Sequence, residues 1–373
     1  MERISVLSVS LEKAVNTSGT YSSPGLGGNA PTLTRSSSRR RATAVSLKNR
    51  DFSNRLFSKH IFCSADNILE FKMANRLAWS EKILQLLRRM NNFYSAESCR
   101  ASCYRFVIDG AQVGWILPHV ASLLTRYPEV FNPPHGGVVS LCHNLDSYHS
   151  RSEAVDAVLK DLRQEAALTC LTGWRDEKYS VMPKFSDSPL MWMERAATSL
   201  FGVKRYGVHI NGYVVSGIGE VSMWLGRRSH SKQTYPGLLD TVAAGGLAAH
   251  VGIKETLVKE CLEEACIPAA IAEEAHPVGT VSYTYSNEEG VFPESQFVFD
   301  LELPLEFKPR VGDGEVQEFY LLPIDKVKEL LANGDFKPNS AMVVLDFLIR
   351  LSFIEPDTEP CYQEFVTGLH QTL

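Results

Sequence analysis

From Tyr206 to Pro323 the chain reads as strand after strand, interrupted by a single helix crowded with acidic side chains. The runs GVHINGYVV, SMWLGRRS, VGTVSYTY, SQFVFDLELP and EVQEFYLLP are rich in β-branched and aromatic residues. Between the second and third lies PGLLDTVAAGGLAAHVG, whose glycines and alanines read as a loop. A helix-forming stretch follows, which ends in KECLEEACI and is stopped by Pro268. Such an order restricts the fold to a mixed sheet flanked by helices. The acidic helix must pack on that sheet, and Leu257, Cys261 and Ala265, spaced i, i+4, supply a face that does so.

Packing along that face leaves Glu260 and Glu264 one turn apart on an adjacent side, with Glu263 beside them. Like charges at this spacing repel by roughly 0.2–0.5 kcal/mol unless something positive lies between them. Two readings follow: a solvated acidic face, or a site for a divalent cation. In the second, carboxylates supply the hard oxygen ligands that Mg²⁺ prefers, and substrate phosphate oxygens with water complete an octahedron. Gly245 and Gly246, just ahead of the helix, let the backbone bend and bring its N–H groups close to a ligand.

Upstream, residues 66–200 read as a smaller α+β domain. SEKILQLLRRMNNF has helical apolar spacing, YRFVIDGAQVGWI is two strands joined at Asp109-Gly110, and HVASLLTRYPEVF and SEAVDAVLKDLRQEAAL are helices. Downstream, IDKVKELLAN and SAMVVLDFLIRLSFI are helices, the second expected to reach Ile354. Residues 1–65 differ: Lys13 to Arg50 holds no Asp or Glu, while Ser, Thr, Gly and Arg abound. A segment with so little to bury is expected to be disordered, and its composition also fits a chloroplast or mitochondrial transit peptide. Without such a leader the expected location is cytoplasmic.

A net charge of −5 gives no overall basic field for nucleic acid or an anionic membrane. No apolar run reaches the ~18 residues of a spanning helix, so a soluble protein with a small-molecule partner is expected. Eight cysteines show no CxxC pair and read as free thiols. Cys142-His143 with His149 lacks the second cysteine pair of a zinc site. Oligomeric state is not legible.

The acidic helix resembles the signature of the Nudix hydrolases, G-x5-E-x7-R-E-U-x-E-E-x-G-U with U apolar. Here it reads Lys259, Glu260, Cys261, Leu262, Glu263, Glu264, Ala265, Cys266, Ile267, with Lys259 in place of Arg and Cys266 in place of Gly. Counted back from Lys259, the motif begins at Gly245 and its isolated acid falls on Val251; counted from Gly246, the loop is one residue short. Glu255 is the nearby acid that would substitute. The flanks WLGRRSHSKQTYPGLLDTVAAGG, DGEVQEFYLLP and FKPNSAMVVLDFLIR, and upstream VGWILP, LTGWRDEKYSV and ERAATSLFGV, narrow the likeness. They are similar to a plant and fungal Nudix branch with an extra N-terminal domain, related to the Nudix part of fungal thiamin pyrophosphokinase fusions. The resemblance covers about residues 80–370 and implies an α+β chain: the small α+β domain at 66–200, a Nudix fold at 201–350 and a C-terminal extension at 351–373.

The same resemblance implies a Mg²⁺- or Mn²⁺-dependent diphosphatase. Its implied substrates are damaged thiamin diphosphates, such as oxo- and oxythiamin diphosphate, cut to monophosphate and phosphate. Nucleoside diphosphate derivatives such as ADP-ribose or NADH are the generic family alternative. A weakly catalytic diphosphate-binding sensor is the alternative of another class, because the first acid of the motif is missing. By resemblance, Glu260 and Glu264 hold the metal, Glu263 binds a second ion or orients water, and Lys259 steadies the cluster. Glu315, in the Asp313-Gly314-Glu315 passage, is the candidate base. Arg227, Arg228 and Lys232 are expected to receive the distal phosphate, with Gly245 and Gly246 beside it. Trp174, Arg175, Glu177 and Tyr179 read either as a wall against a cationic ring or as core. His209 and Asn211 lie on a strand next to the glycines, and alternation does not decide which way they face.

Overall fold

The computed structural model describes residues 65–373, and the expectations for the tail lie outside them. Helix α1 (Ala65–Met90) opens the described chain. A three-stranded sheet follows in the order β2-β1-β3, from β1 (Tyr104–Ile108), β2 (Ala111–Ile116) and β3 (Val138–Ser140). The β1–β2 hairpin turns where expected, with Asp109 at φ 49° and Gly110 at φ 78°, the left-handed pair a tight hairpin needs. Helices α2 (Pro118–Leu124) and α3 (Tyr148–Gln164) accompany it, the latter started by a reciprocal cap between Ser147 and Ser150. A second hairpin, β4 (Lys178–Val181) with β5 (Met191–Glu194), completes this part, whose core gathers Phe106, Phe131, Leu159 and Phe201.

The larger sheet runs β10-β11-β6-β7-β12, from β6 (Arg205–Val215), β7 (Val221–Arg228), β10 (His276–Asn287), β11 (Gly290–Glu302) and β12 (Val316–Pro323). Its β11–β6 pair is parallel and the others antiparallel, so the sheet is mixed and the chain α+β, as expected. The glycine-rich segment is not simply a loop. It carries β8 (Leu239–Asp240), which pairs β7, and β9 (Ala243–Gly246), which pairs the first half of β6. Strand propensity reflects side chains that fill a pleated surface, and Ala-Ala-Gly-Gly offers almost none. One edge of β6 therefore has two partners, β9 beside residues 207–210 and β7 beside residues 212–215.

Helices cover both faces of this sheet. On one face Ile83 and Leu87 of α1 join α6 (Ile324–Asn333), α7 (Pro338–Arg350) and α8 (Tyr362–Leu369) over Met223, Leu225 and Val298. Helix α7 stops at Arg350, short of Ile354. Ser352 turns left-handed at φ 59°, and the N–H groups of Phe353 and Ile354 fold back onto the Leu348 carbonyl. On the other face α4 (Ile253–Ala265) buries Leu257, Cys261 and Ala265 against Val208, Ile210 and Ala243. A fully buried leucine contributes about 2 kcal/mol, so this face outweighs the repulsion among the glutamates and sets the helix rotation.

Helix α4 closes at Cys266, whose φ of 52° is the left-handed cap that glycine adopts most readily. A short α5 (Ala269–Ala272) follows. Among the described residues all seven cysteines are free, and no helix is long and apolar enough to cross a membrane.

Candidate active site

The rotation that buries Leu257 and Cys261 brings Glu260 and Glu264 against β9. Glu264 is 8% exposed and accepts the Ala244 N–H at 2.9 Å. The Glu260 carboxyl lies so close over Gly245 that any Cβ there would collide with it, and Gly246 stands in the same relation to the Tyr179 hydroxyl. Two glycines are needed because two side chains occupy the space beside them. Glu263 is half-exposed and bridged to Lys259 at 3.1 Å, while Lys259 also reaches Glu260 at 3.3 Å. The solvated-face reading thus fits Glu263 and fails for its two neighbours.

Burial lifts the Glu264 carboxyl well above the ordinary carboxylate range, and Asp240, Glu260 and Glu315 add repulsion against the single Ala244 N–H. Glu260 is raised too, first by burial, with Glu263 and Glu315 adding to it and Lys259 opposing. Glu264, buried without a cationic partner, and Glu260, mostly covered and touched by Lys259, offer hard oxygens that suit a divalent cation. Among the described residues no three His, Cys, Asp or Glu side chains gather closely enough to hold a metal ion. Glu260 and Glu264 therefore fit the case in which the protein gives two carboxylates and substrate oxygens with water supply the rest.

Asp240, at the end of β8, is a buried acid of the opposite kind. Against its burial, Lys337, His209, Arg228 and the Ser340 hydroxyl hold its carboxyl below the usual range, with Arg228 at 3.0 Å and Lys337 at 3.2 Å. Arg228 is fully engaged: its Nε donates to the Tyr235 carbonyl at 3.1 Å and its Nη2 to the Thr234 carbonyl at 2.8 Å. Arg227 donates to the Gly237 carbonyl at 2.8 Å and the Tyr320 hydroxyl at 3.1 Å. Both guanidinium groups expected at the phosphate thus bond within the fold, and Lys232, itself ion-paired with Glu315, is the member of that set that lines a cavity. His209 and Asn211 sit inside the sheet, on the Thr241 hydroxyl at 3.0 Å and on Asp300 at 3.0 Å.

A polar cleft of about 310 Å³ opens between Arg175, the Ser231–Thr234 turn and Asp313–Glu315. The loop before β12 reaches it by capping α4. The N–H groups of Arg310, Gly312 and Asp313 bond the carbonyls of Ala265, Glu264 and Glu263 at 3.0, 3.3 and 2.8 Å, acceptors that a helix end leaves free. Glu315 pairs with Lys232; although burial raises its carboxyl, Lys232, Arg228 and Arg195 hold it below the usual range.

Trp174 packs on the N-terminal core, its indole N–H on Asp176 at 2.8 Å and Arg163 at 4.9 Å from its ring, so it forms no free wall. Arg175 lines the cleft instead. Arg195, paired with Glu177 at 2.7 Å, is a charged neighbour that no local pattern in the sequence marks; the β4–β5 hairpin brings it there. Glu255 is exposed on the first turn of α4, and Val251 lines a second cavity of about 220 Å³ with Tyr179, Phe185 and Tyr206.

Residues 82–205 match a family described as a domain of unknown function, DUF4743. The chain is 39% identical over 262 residues to Nudix hydrolase 20, chloroplastic, of Arabidopsis thaliana, covering 68% of this chain and 69% of that protein. Nudix hydrolase 24, chloroplastic, of the same plant is 38% identical over 255 residues, again 68% and 69%. An uncharacterized protein of Saccharomyces cerevisiae, YJR142W, is 36% identical over 287 residues, covering 72% of this chain and 83% of its own. These relatives agree with the acidic pair on α4: the chain belongs to the Nudix hydrolases.

Proposed function

We propose that this hydrolase cleaves the phosphoanhydride bond of a small organic diphosphate beside α4, with damaged thiamin diphosphates as its substrates. The observation that supports this most is the Glu260–Glu264 pair, both raised by burial and by neighbouring acids, near a cleft that carries Lys232 and Glu315. Nudix hydrolases work with a divalent cation, and Mg²⁺ or Mn²⁺ on Glu260 and Glu264 would neutralise diphosphate charge and lower the pKa of a bound water.

The chain's own side chains do the rest. Lys232 neutralises phosphate charge, and Glu315, kept ionised by Lys232, orients the attacking water and accepts its proton. Arg227 and Arg228 act at one remove, by fixing the turn that carries Lys232. Gly245 keeps the Glu260 carboxyl close to the strand, and Lys259 steadies Glu260 and Glu263. Glu263, exposed and paired with Lys259, orients water or binds a second ion in this reading. The thiamin assignment rests on the sequence resemblance, with support from the aromatic second cavity, which suits a flat ring. An acid-poor tail and two relatives named chloroplastic support an organelle as the location.

Phosphate release from oxythiamin diphosphate and thiamin diphosphate, and cleavage of ADP-ribose and NADH, each with and without Mg²⁺ or Mn²⁺, tests the proposal. Metal-dependent turnover of oxythiamin diphosphate ahead of the other three is expected. A preference for ADP-ribose would move the substrate to nucleoside derivatives, and binding without turnover of any of the four would make the protein a sensor.

A further inference from the structure

We infer that Arg175, carried by the N-terminal part of the chain, is the phosphate-binding guanidinium of the cleft, and that with Lys232 it selects diphosphate monoesters over diphosphate diesters. This rests on the cleft being the diphosphate site. A monoester ends in a phosphate that carries close to two negative charges at neutral pH, whereas each phosphate of a diester such as ADP-ribose carries one. Arg175, together with a Lys232 that shares its charge with Glu315, matches the first kind of anion better.

Three nearby arginines are engaged within the fold. Arg227 and Arg228 satisfy carbonyls, a hydroxyl and Asp240, and Arg195 has Glu177. Arg175 differs from all three. Its Nη2 donates to the Gln233 side-chain oxygen at 3.2 Å, and among the described residues no carboxylate lies within ion-pair distance of it. It is an exposed residue lining the cleft; partial burial first and then Arg195 push it below its usual range, with Glu177 and Glu315 opposing. A fork of donors in that setting has the geometry and the unmet charge to take a phosphate bidentately.

The backbone presents this fork ready-made. The Arg175 N–H is fixed on Glu194 at 3.0 Å, and Asp176, left-handed at φ 56°, holds the indole of Trp174, which is anchored in the core. These contacts fix the backbone from which the side chain leaves, and Gln233 holds the guanidinium itself. The sequence segment that forms the site thus begins within the N-terminal part, some 85 residues before the glutamates of α4.

The test is titration of the full chain, in Mg²⁺, with inorganic pyrophosphate, oxythiamin diphosphate and ADP-ribose. In Arg175→Gln the Kd for pyrophosphate and for oxythiamin diphosphate should rise roughly 30-fold, as loss of a bidentate charged contact implies, while that for ADP-ribose moves less than about 3-fold. The thermal midpoint should stay with the parent. Should it fall, Arg175→Lys, which keeps the charge and loses the fork, is read instead, with about 5-fold weakening expected for pyrophosphate. No pyrophosphate binding by the parent, an unchanged Kd in both variants, or equal weakening of all three ligands overturns the inference. Arg175-dependent, monoester-selective binding in a protein that turns over no diphosphate supports it and removes the hydrolysis reading alone.

Discussion

Two buried acids close enough to repel each other, Asp240 and Glu264, have opposite electrostatics. Asp240 is surrounded by Arg228, Lys337, His209 and the Ser340 hydroxyl and is held firmly ionised. Glu264 has one backbone N–H and three acidic neighbours, and is held toward its protonated form. Burial is similar, at 7% and 8% exposure, so the difference lies in the partners. An acid whose counter-charge is built into the fold stabilises that fold, whereas one left without it costs stability until something positive arrives from outside. The contrast separates a residue that holds the structure from one placed for chemistry.

The largest effect expected is on turnover. Glu264→Gln should cut kcat by about 1000-fold, the several kcal/mol that cation-assisted charge stabilisation supplies, while the metal-free thermal midpoint stays level or rises because a neutral amide removes the cost of burying an ionisable acid among other acids. Asp240→Asn should do the reverse. With Arg228 and Lys337 left without their carboxylate, about 3 kcal/mol or more of stability should be lost in denaturant melts. If Glu264→Gln proves the more destabilising of the two, the distinction between the acids fails.

Much of this was legible in the sequence, and the limits are physical. The α4 packing face and the β1–β2 turn depend on neighbours one to four residues away, so Leu257, Cys261, Ala265 and Asp109-Gly110 announced them. Strand β9 was missed because alanine and glycine carry no strand signature; their purpose is room for Glu260 and Tyr179, which the strand itself does not encode. Arg227 and Arg228 looked like free phosphate ligands because Asp240 and the carbonyls of Thr234, Tyr235 and Gly237 come back to them only through the β7–β8 turn. Arg175 and Arg195 lie in the flanks LTGWRDEKYSV and ERAATSLFGV, but nothing local assigns either of them a place at the cleft. Their position depends on how the β4–β5 hairpin meets the larger sheet, a long-range arrangement that local patterns do not report.

A pH titration of stability sharpens the same contrast. His209 faces Lys337, Arg228, Asp240 and Glu294, and burial first, then Lys337, pushes its pKa down to about 4 from an ordinary 6.5. Between those values the unfolded chain binds the proton and the folded chain does not. The stability contributed by the neutral imidazole is therefore whole above pH 6.5 and is lost as pH falls toward 4, up to roughly 3 kcal/mol. Asp240 adds its own loss only below its ordinary 3.8. Chemical denaturation from pH 7 to pH 4 should show the decline in the parent and a flatter profile in His209→Gln. Equal slopes in both would mean that His209 is not the group that titrates.

The smallest effect expected comes from a single methyl. In Gly245→Ala the new Cβ meets the Glu260 carboxyl, which is the free end of a flexible side chain and can swing aside. Stability should then fall by less than about 1 kcal/mol, and the Asp240 network, on the neighbouring strand, should keep its pH dependence. Displaced by that methyl, Glu260 no longer lines up with Glu264, and the Mg²⁺ concentration needed for half-maximal activity should rise about 10-fold. Gly246→Ala is the control for crowding alone: its Cβ meets the hydroxyl of Tyr179, a residue only 4% exposed, so stability should drop first. A Gly245→Ala protein with an unaltered Mg²⁺ requirement would mean that the Glu260 carboxyl does not depend on the place this glycine gives it, and Glu264 would have to hold the cation without it.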